Sequence, residues 1–247
     1  MSDEITRLTQ EVAELRHELG RQQDREEIRS LQFKYGYYLD KCLYDEVVDL
    51  FAQDGSATFL NGIYRGKESI RRLMSGWFRQ LFADGHNGPV YGFLLDHLIL
   101  QDIVTISSDR RTAKGRFRCL MMAATHESRP EVPGMPRGCW EAGIYENEYV
   151  KEDGVWKIGT YNYSLLFQAD EAKGWWTGNA LLPPLTKTFP DDPNGPDELL
   201  DAMPAVWPET RVIPFHYPHP VTAKFWNGDV LGKRFPEWNI TEAGSAS

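Results

Sequence analysis

Cysteine is scarce in this 247-residue chain: Cys42, Cys119 and Cys139 are its only thiols. Their odd number and the lack of a C-x-x-C spacing argue against a disulfide framework and against zinc. Reduced, buried thiols in a cytoplasmic protein fit better. Positive charge is in deficit too, leaving a formal net charge of -9. Neither nucleic acid nor an anionic membrane surface attracts such a chain, so neither is expected as a partner. No apolar run reaches the roughly eighteen residues of a membrane span, and the polar, charged N-terminus is unlike a signal peptide. The chain also lacks a phosphate-binding loop, a dinucleotide glycine fingerprint and the residue order of a Ser-His-Asp or Cys-His hydrolase. His216 and His219 are split by Pro218 with no helix to fix their spacing, so no metal site is expected.

What the chain does have is aromatic side chains, 13% of its residues. They suit either a large apolar pocket or a bulky core. Length and periodicity divide the chain into one domain with extensions at both ends. In residues 1–24, Ile5, Leu8, Val12, Leu15 and Leu19 step by three and four, the spacing of a narrow coiled-coil seam. This reads as a separate helical arm used for oligomerisation. The domain spans residues 25–170. Ile28, Leu31, Tyr35 and Tyr38 give its first helix an apolar stripe ending at Asp40. A second helix is predicted over 44–52, a strand over 56–60, a hairpin turn at Asn61-Gly62 and a return strand over 63–66. A third helix is predicted over 67–82. The period then changes to that of strands: 91–106, 112–126, 139–151 and 155–168. Three helices followed by four long antiparallel strands predict an α+β fold with the helices on one face of a curved sheet. Apolar residues on both strand parities call for cover on the second face, and a neighbouring subunit is expected to supply it. Residues 171–247 hold 11 of the 15 prolines and five of the eight tryptophans. They read as an irregular extension that wraps the domain or a neighbour and closes the pocket mouth.

Two polar features interrupt these apolar runs. Asp40 ends a helix that carries Tyr35 and Tyr38 three residues apart; it is either a helix-end residue in water or a catalytic group. Asp96-His97 sits between Phe93-Leu94-Leu95 and Leu98-Ile99-Leu100. A histidine among such neighbours needs a hydrogen-bond partner to be buried. It is either a satisfied structural side chain or, paired with Asp40, a general base.

The order of motifs resembles the nuclear-transport-factor-2-like cone fold, in its polyketide-cyclase-like (SnoaL-like) enzyme branch. The matching residues are Tyr35-x4-Asp40 closing the first helix, Tyr64-Arg65-Gly66-Lys67-Glu68-Ser69-Ile70 opening the third, His97 in the long strand, and Gly154-Val155-Trp156-Lys157-Ile158 opening the last. This covers roughly residues 25–168. The resemblance implies a cofactor-independent proton-transfer site made of Asp40, His97 and Tyr35, as in the dehydratases of that branch. Tyr38, Phe93, Arg118, Leu120, Met122, Trp140 and Asn162 are the candidates to bind substrate. Asn162 and Tyr161 have opposite parities, so only one of them can face a pocket; Arg116 is an alternative to Arg118. The chain also resembles the diarylpropane lyases of lignin catabolism in sphingomonads. That implies loss of formaldehyde and water from a 1,2-diarylpropane-1,3-diol, leaving a stilbene, in a cytoplasmic dimer or trimer with no cofactor. Dehydration or isomerisation of a steroid or polyketide ring, or binding of a small ligand without catalysis, are the alternatives.

Overall fold

The computed structural model describes residues 2–177, 182–233 and 235. Helix α1 runs unbroken from Ser2–Asp40, so the arm and the first domain helix are one element rather than two. Gly20 does not break it. Arg110 lies against that glycine, where a Cβ would sit 2.0 Å from its guanidinium, and reaches Asp24 one turn on. From Gly20 onward the stripe Asp24, Ile28, Leu31, Gln32, Tyr35, Gly36 and Leu39 is buried; the earlier turns are exposed. Helix α2 (Tyr44–Asp49) stops short of the expected Ala52, because Phe51 already pairs with Ile158 in a sheet.

Strand β1 (Phe51–Phe59) and β2 (Gly62–Arg65) form the expected hairpin, with its turn one residue early, at Leu60-Asn61. The Asn61 side chain is spent elsewhere, bonding the backbone N–H and C=O of Leu185 in the C-terminal extension. The third helix comes in three segments: α3 (Lys67–Arg71), a π-helical stretch (Arg72–Phe78) and α4 (Arg79–Ala83). Four long strands follow: β3 (Phe93–Ile106), β4 (Thr112–Thr125), β5 (Gly138–Glu152) and β6 (Val155–Asp170). A short β7 (Glu198–Leu199) completes a sheet ordered β3-β4-β5-β6-β1-β2-β7, antiparallel except where β1 meets β6. The sheet is curved and unclosed, and the helices pack on its inner face over a core rich in tyrosine, phenylalanine and leucine. No described helix is long and apolar enough to cross a membrane.

Two polar clusters tie the extensions down. At the base of the arm, buried Asp24 accepts from Arg110 at 2.6 Å, Lys151 at 2.5 Å and the Trp156 indole at 3.1 Å. Burial alone would raise this carboxyl, but the three donors together hold it at about 2 against an ordinary 3.8. In the C-terminal extension, Asp197 takes the Arg65 backbone N–H, the Ser69 hydroxyl and the Arg72 guanidinium. The extension then crosses the outer face of the same sheet. There Arg116, already paired with Glu146, donates to the carbonyls of Ile213 and Pro214, and His216 pairs with Glu146. Part of the cover expected from a neighbour is therefore supplied by the chain itself, while Leu94, Leu98, Leu100 and Ile103 of β3 stay exposed.

Candidate active site

The last turn of α1 approaches β3 closely because residue 36 is glycine. A Cβ there would lie 2.8 Å from Ile99 Cδ1. That approach delivers Asp40 to His97. Asp40 Oδ1 is 2.7 Å from His97 Nδ1 and 3.0 Å from the His97 backbone nitrogen, with Oδ2 3.1 Å from the same N–H. Both side chains are more than nine-tenths buried. Asp40 thus fixes ring and backbone together, puts the proton on Nδ1 and leaves Nε2 for a ligand.

Pairing across the sheet defines the rest. His97 lies opposite Met121, Met121 opposite Glu141, and Glu141 opposite Gln168. Directly opposed residues share a face, so this row spans the inner surface, and all four line one cavity with Tyr44, Tyr145, Tyr161 and Tyr163. Phe59, Phe78, Phe82, Leu95 and Met135 make its apolar walls, and Leu182 of the C-terminal extension closes it. The cavity is about 70 Å³. A second lobe of about 60 Å³ shares Phe59, Glu141, Tyr163, Gln168 and Leu182 with the first and runs out to Met203, Pro204 and Val206.

Glu141 is the polar centre where the lobes meet. Tyr163 donates to Oε1 and Gln168 to Oε2, each at 2.8 Å. Tyr163 can lie across β5 because residue 143 is glycine; a Cβ there would fall 2.3 Å from the phenol ring. Burial pushes the Glu141 carboxyl upward, more than the Tyr163 bond, His97 and Gln168 bring it down. Burial likewise raises the phenols of Tyr35, Tyr145, Tyr161 and Tyr163, so all four remain donors at neutral pH. It also raises Cys119 and Cys139 to about 12, which keeps both as inert thiols.

The structure brings Asp40 and His97 together and sets Tyr35 one layer behind the cavity. Tyr35 donates to Tyr161 at 3.0 Å, and Tyr161 is the phenol on the cavity wall. Phe93 stacks on Phe82 at 5.6 Å and supports the wall without forming it. Tyr38 falls outside. Leu39 takes the buried position on α1, and Tyr38 lines an outer groove with Lys34, Leu50 and Trp156. Arg118, Leu120, Met122 and Trp140 are on the opposite face of the sheet, and one residue is the reason. Ile106 pairs with Ala113, so an unbroken ladder would set His97 against Met122; a bulge at Gln101, φ 33°, slides the register by one. Only β3 changes parity there; β4 and β5 alternate without a break, so His97 shares its face with Met121 and Glu141 rather than with Met122 and Trp140. Arg118 bonds Gln101 itself at 2.9 Å. Asn162 is also turned away, leaving Tyr161 as the inward neighbour. Arg116 is occupied by Glu146 and the extension. Glu141 and Tyr163 were missed. The sequence signal for Glu141 was its shared parity with Cys139, Gly143 and Tyr145, a charge inside an inward-facing set.

The curved sheet, the helices on its inner face and the cavity between them define a nuclear-transport-factor-2-like α+β protein. The family model of the SnoaL-like domain matches residues 20–162, which include Asp40, His97 and Glu141. The chain belongs to the SnoaL-like family. Solved structures with a similar fold include a putative scytalone dehydratase from Novosphingobium aromaticivorans, 20% identical at a TM-score of 0.47, over 59% of this chain and 86% of that one. A hexachlorocyclohexane dehydrochlorinase (LinA type 3) from Novosphingobium barchaimii is 19% identical at 0.48, over 62% and 92%. An NTF2-like protein with a cystatin-like fold from N. aromaticivorans is 23% identical at 0.43, over 64% and 90%. No curated protein sequence matches the chain.

Proposed function

We propose that the protein is a lyase that works by acid–base chemistry without a cofactor on a hydroxylated aromatic substrate. The observation that carries this reading is the 2.7 Å Asp40–His97 contact, with His97 lining a largely apolar cavity. A neutral imidazole held by a carboxylate is a base suited to neutral pH, and apolar walls strengthen its interaction with a developing charge. The specific substrate we propose is a 1,2-diarylpropane-1,3-diol. Two adjoining lobes, each with aromatic walls and a shared polar junction, suit two aryl rings joined by a short hydroxylated link. His97 Nε2 removes the γ-hydroxyl proton; formaldehyde separates, the stilbene double bond forms and the benzylic hydroxyl departs. In this reading Tyr161, which accepts from Tyr35, hydrogen-bonds the substrate oxygens. Both lobes are small, so the substrate enters by displacing the wall that Leu182, Met203, Pro204 and Val206 provide.

The test is turnover of the diol by EDTA-treated protein, followed by stilbene absorbance and formaldehyde release, beside His97→Ala. Product from the wild type and none from the variant is expected. Equal turnover by both would remove the dyad from the mechanism. No turnover by either would discard this substrate and favour dehydration or isomerisation of a steroid or polyketide ring, to be assayed next with the same pair. A ligand carrier without catalysis predicts that His97→Ala changes nothing on any of them.

A further inference from the structure

Elimination of a hydroxyl group needs an acid as well as a base, because hydroxide is a poor leaving group. We propose that Glu141 is that acid: it protonates the departing benzylic hydroxyl while His97 takes the γ-hydroxyl proton. This rests on the diol reading above. The geometry comes from the transverse row. His97 on β3 and Glu141 on β5 share the inner face with only Met121 between them, so their backbones are roughly 10 Å apart, two strand spacings. Both side chains line the same cavity, with Met121 between them along its sheet wall. A 1,3-diol lying between them presents one hydroxyl to each.

The surroundings of Glu141 favour the acid form. The ionisable groups about it are His97 from β3, Cys119 from β4, Cys139 on its own strand, and Tyr161 and Tyr163 from β6. The two thiols and two phenols are neutral at pH 7, and the downward pull of His97 on the carboxyl is smaller than the upward push of burial. Burial therefore dominates, and the carboxyl is raised. Tyr163 and Gln168 hold its two oxygens in position without supplying a counter-charge. The phenols are weaker candidates, since burial raises them further above an already high value.

The step balances without an external reagent. His97 Nε2 takes the γ-O–H proton, and that electron pair becomes the second C–O bond of formaldehyde. The Cβ–Cγ bond breaks and its pair becomes the Cα=Cβ bond. The Cα–O bond breaks with its pair on oxygen, which accepts the Glu141 proton and leaves as water. Return of one proton from His97 to Glu141 across the emptied cavity restores both groups. The net change is diol to stilbene, formaldehyde and water.

The experiment compares wild type, Glu141→Gln and His97→Ala on two substrates: the diol, and its benzylic acetate, whose leaving group departs without a proton. Glutamine keeps the size of the side chain and an acceptor for Tyr163. Glu141→Gln is expected to lower kcat on the diol by about 10²–10⁴-fold with KM little changed, yet by less than about tenfold on the acetate; His97→Ala loses both. Activity on the acetate also shows that the variant is folded. Equal losses on the two substrates, or no loss on the diol, would overturn the assignment. Infrared difference spectra of the protein alone supply a readout independent of substrate: a protonated-carboxyl carbonyl band at pH 7, absent from Glu141→Gln. Wild type lacking that band overturns the acid whatever the turnover. The band present, with no turnover of either compound, keeps the acid and discards the substrate.

Discussion

Replacing Asp40 with asparagine separates the charge of this residue from its geometry. In the structure a single oxygen, Oδ1, accepts from both His97 Nδ1 and the His97 backbone N–H. An asparagine carbonyl placed there keeps both bonds and the same imidazole tautomer. The amide nitrogen then replaces Oδ2, 3.1 Å from the backbone N–H, a mild donor–donor conflict. Folding stability should therefore change by only about 1 kcal/mol, or about 2–4 °C in Tm. What disappears is the negative charge that stabilises the imidazolium formed in the reaction. A hydrogen bond to a charged group contributes about 1.5–3 kcal/mol, so kcat should fall by about 10–150-fold. Asp40→Ala is a harsher change. It leaves two buried donors without an acceptor, at about 1–3 kcal/mol each, and frees the ring to turn. Thermal melts and steady-state stilbene formation on all three proteins make the comparison. An Asp40→Asn protein with wild-type kcat would refute the argument, because the carboxylate charge would then have no part in the chemistry.

Two further outcomes follow from the clamps on the arm. Asp24 has its folded value depressed to about 2 from 3.8, so its contribution is complete above about pH 5 and is lost as pH falls towards 2. That shift corresponds to about 2 kcal/mol, of which about half remains at pH 3. Urea titrations should show Asp24→Asn destabilised by at least that much at pH 7, with the gap narrowing in acid; a gap independent of pH would contradict the depressed value. The seam on α1 is the other case, with Ile5, Leu8, Val12, Leu15 and Leu19 between 44% and 69% exposed. β-branched Ile5 and Val12 at two of its three first positions, with Leu8 and Leu15 at the fourth, favour two parallel strands, so Leu8→Glu with Leu15→Glu should reduce an arm-paired dimer to a monomer in light scattering. An unchanged mass would rule out pairing through the arm.

Local pattern was sufficient for the elements. Alternation and turn residues located the four long strands to within about two residues, since each strand is bounded by strong signals such as Asp153-Gly154. Helical spacing identified the face of α1 that packs on the sheet through Ile28, Leu31 and Tyr35. Asp40 and His97 were legible as a pair because each is polar within an apolar run, and a buried polar group needs a partner. Facing was not legible wherever it depended on pairing between strands. Strand side chains alternate with a period of two, so the single bulge at Gln101 exchanged Met122 for Met121 and Trp140 for Glu141. Nothing local in the sequence demands that bulge. Tertiary structure also decided the path of the C-terminal extension, whose anchors, Asn61, Asp197 and Arg116, are separated by 97 to 132 residues from the groups they bind. Read locally, the sequence picked out Asp40 and His97 as polar groups needing partners, but not Glu141 or Asp24. Only the folded sheet decided which of them meet across one cavity, because that depends on a register that no single strand contains.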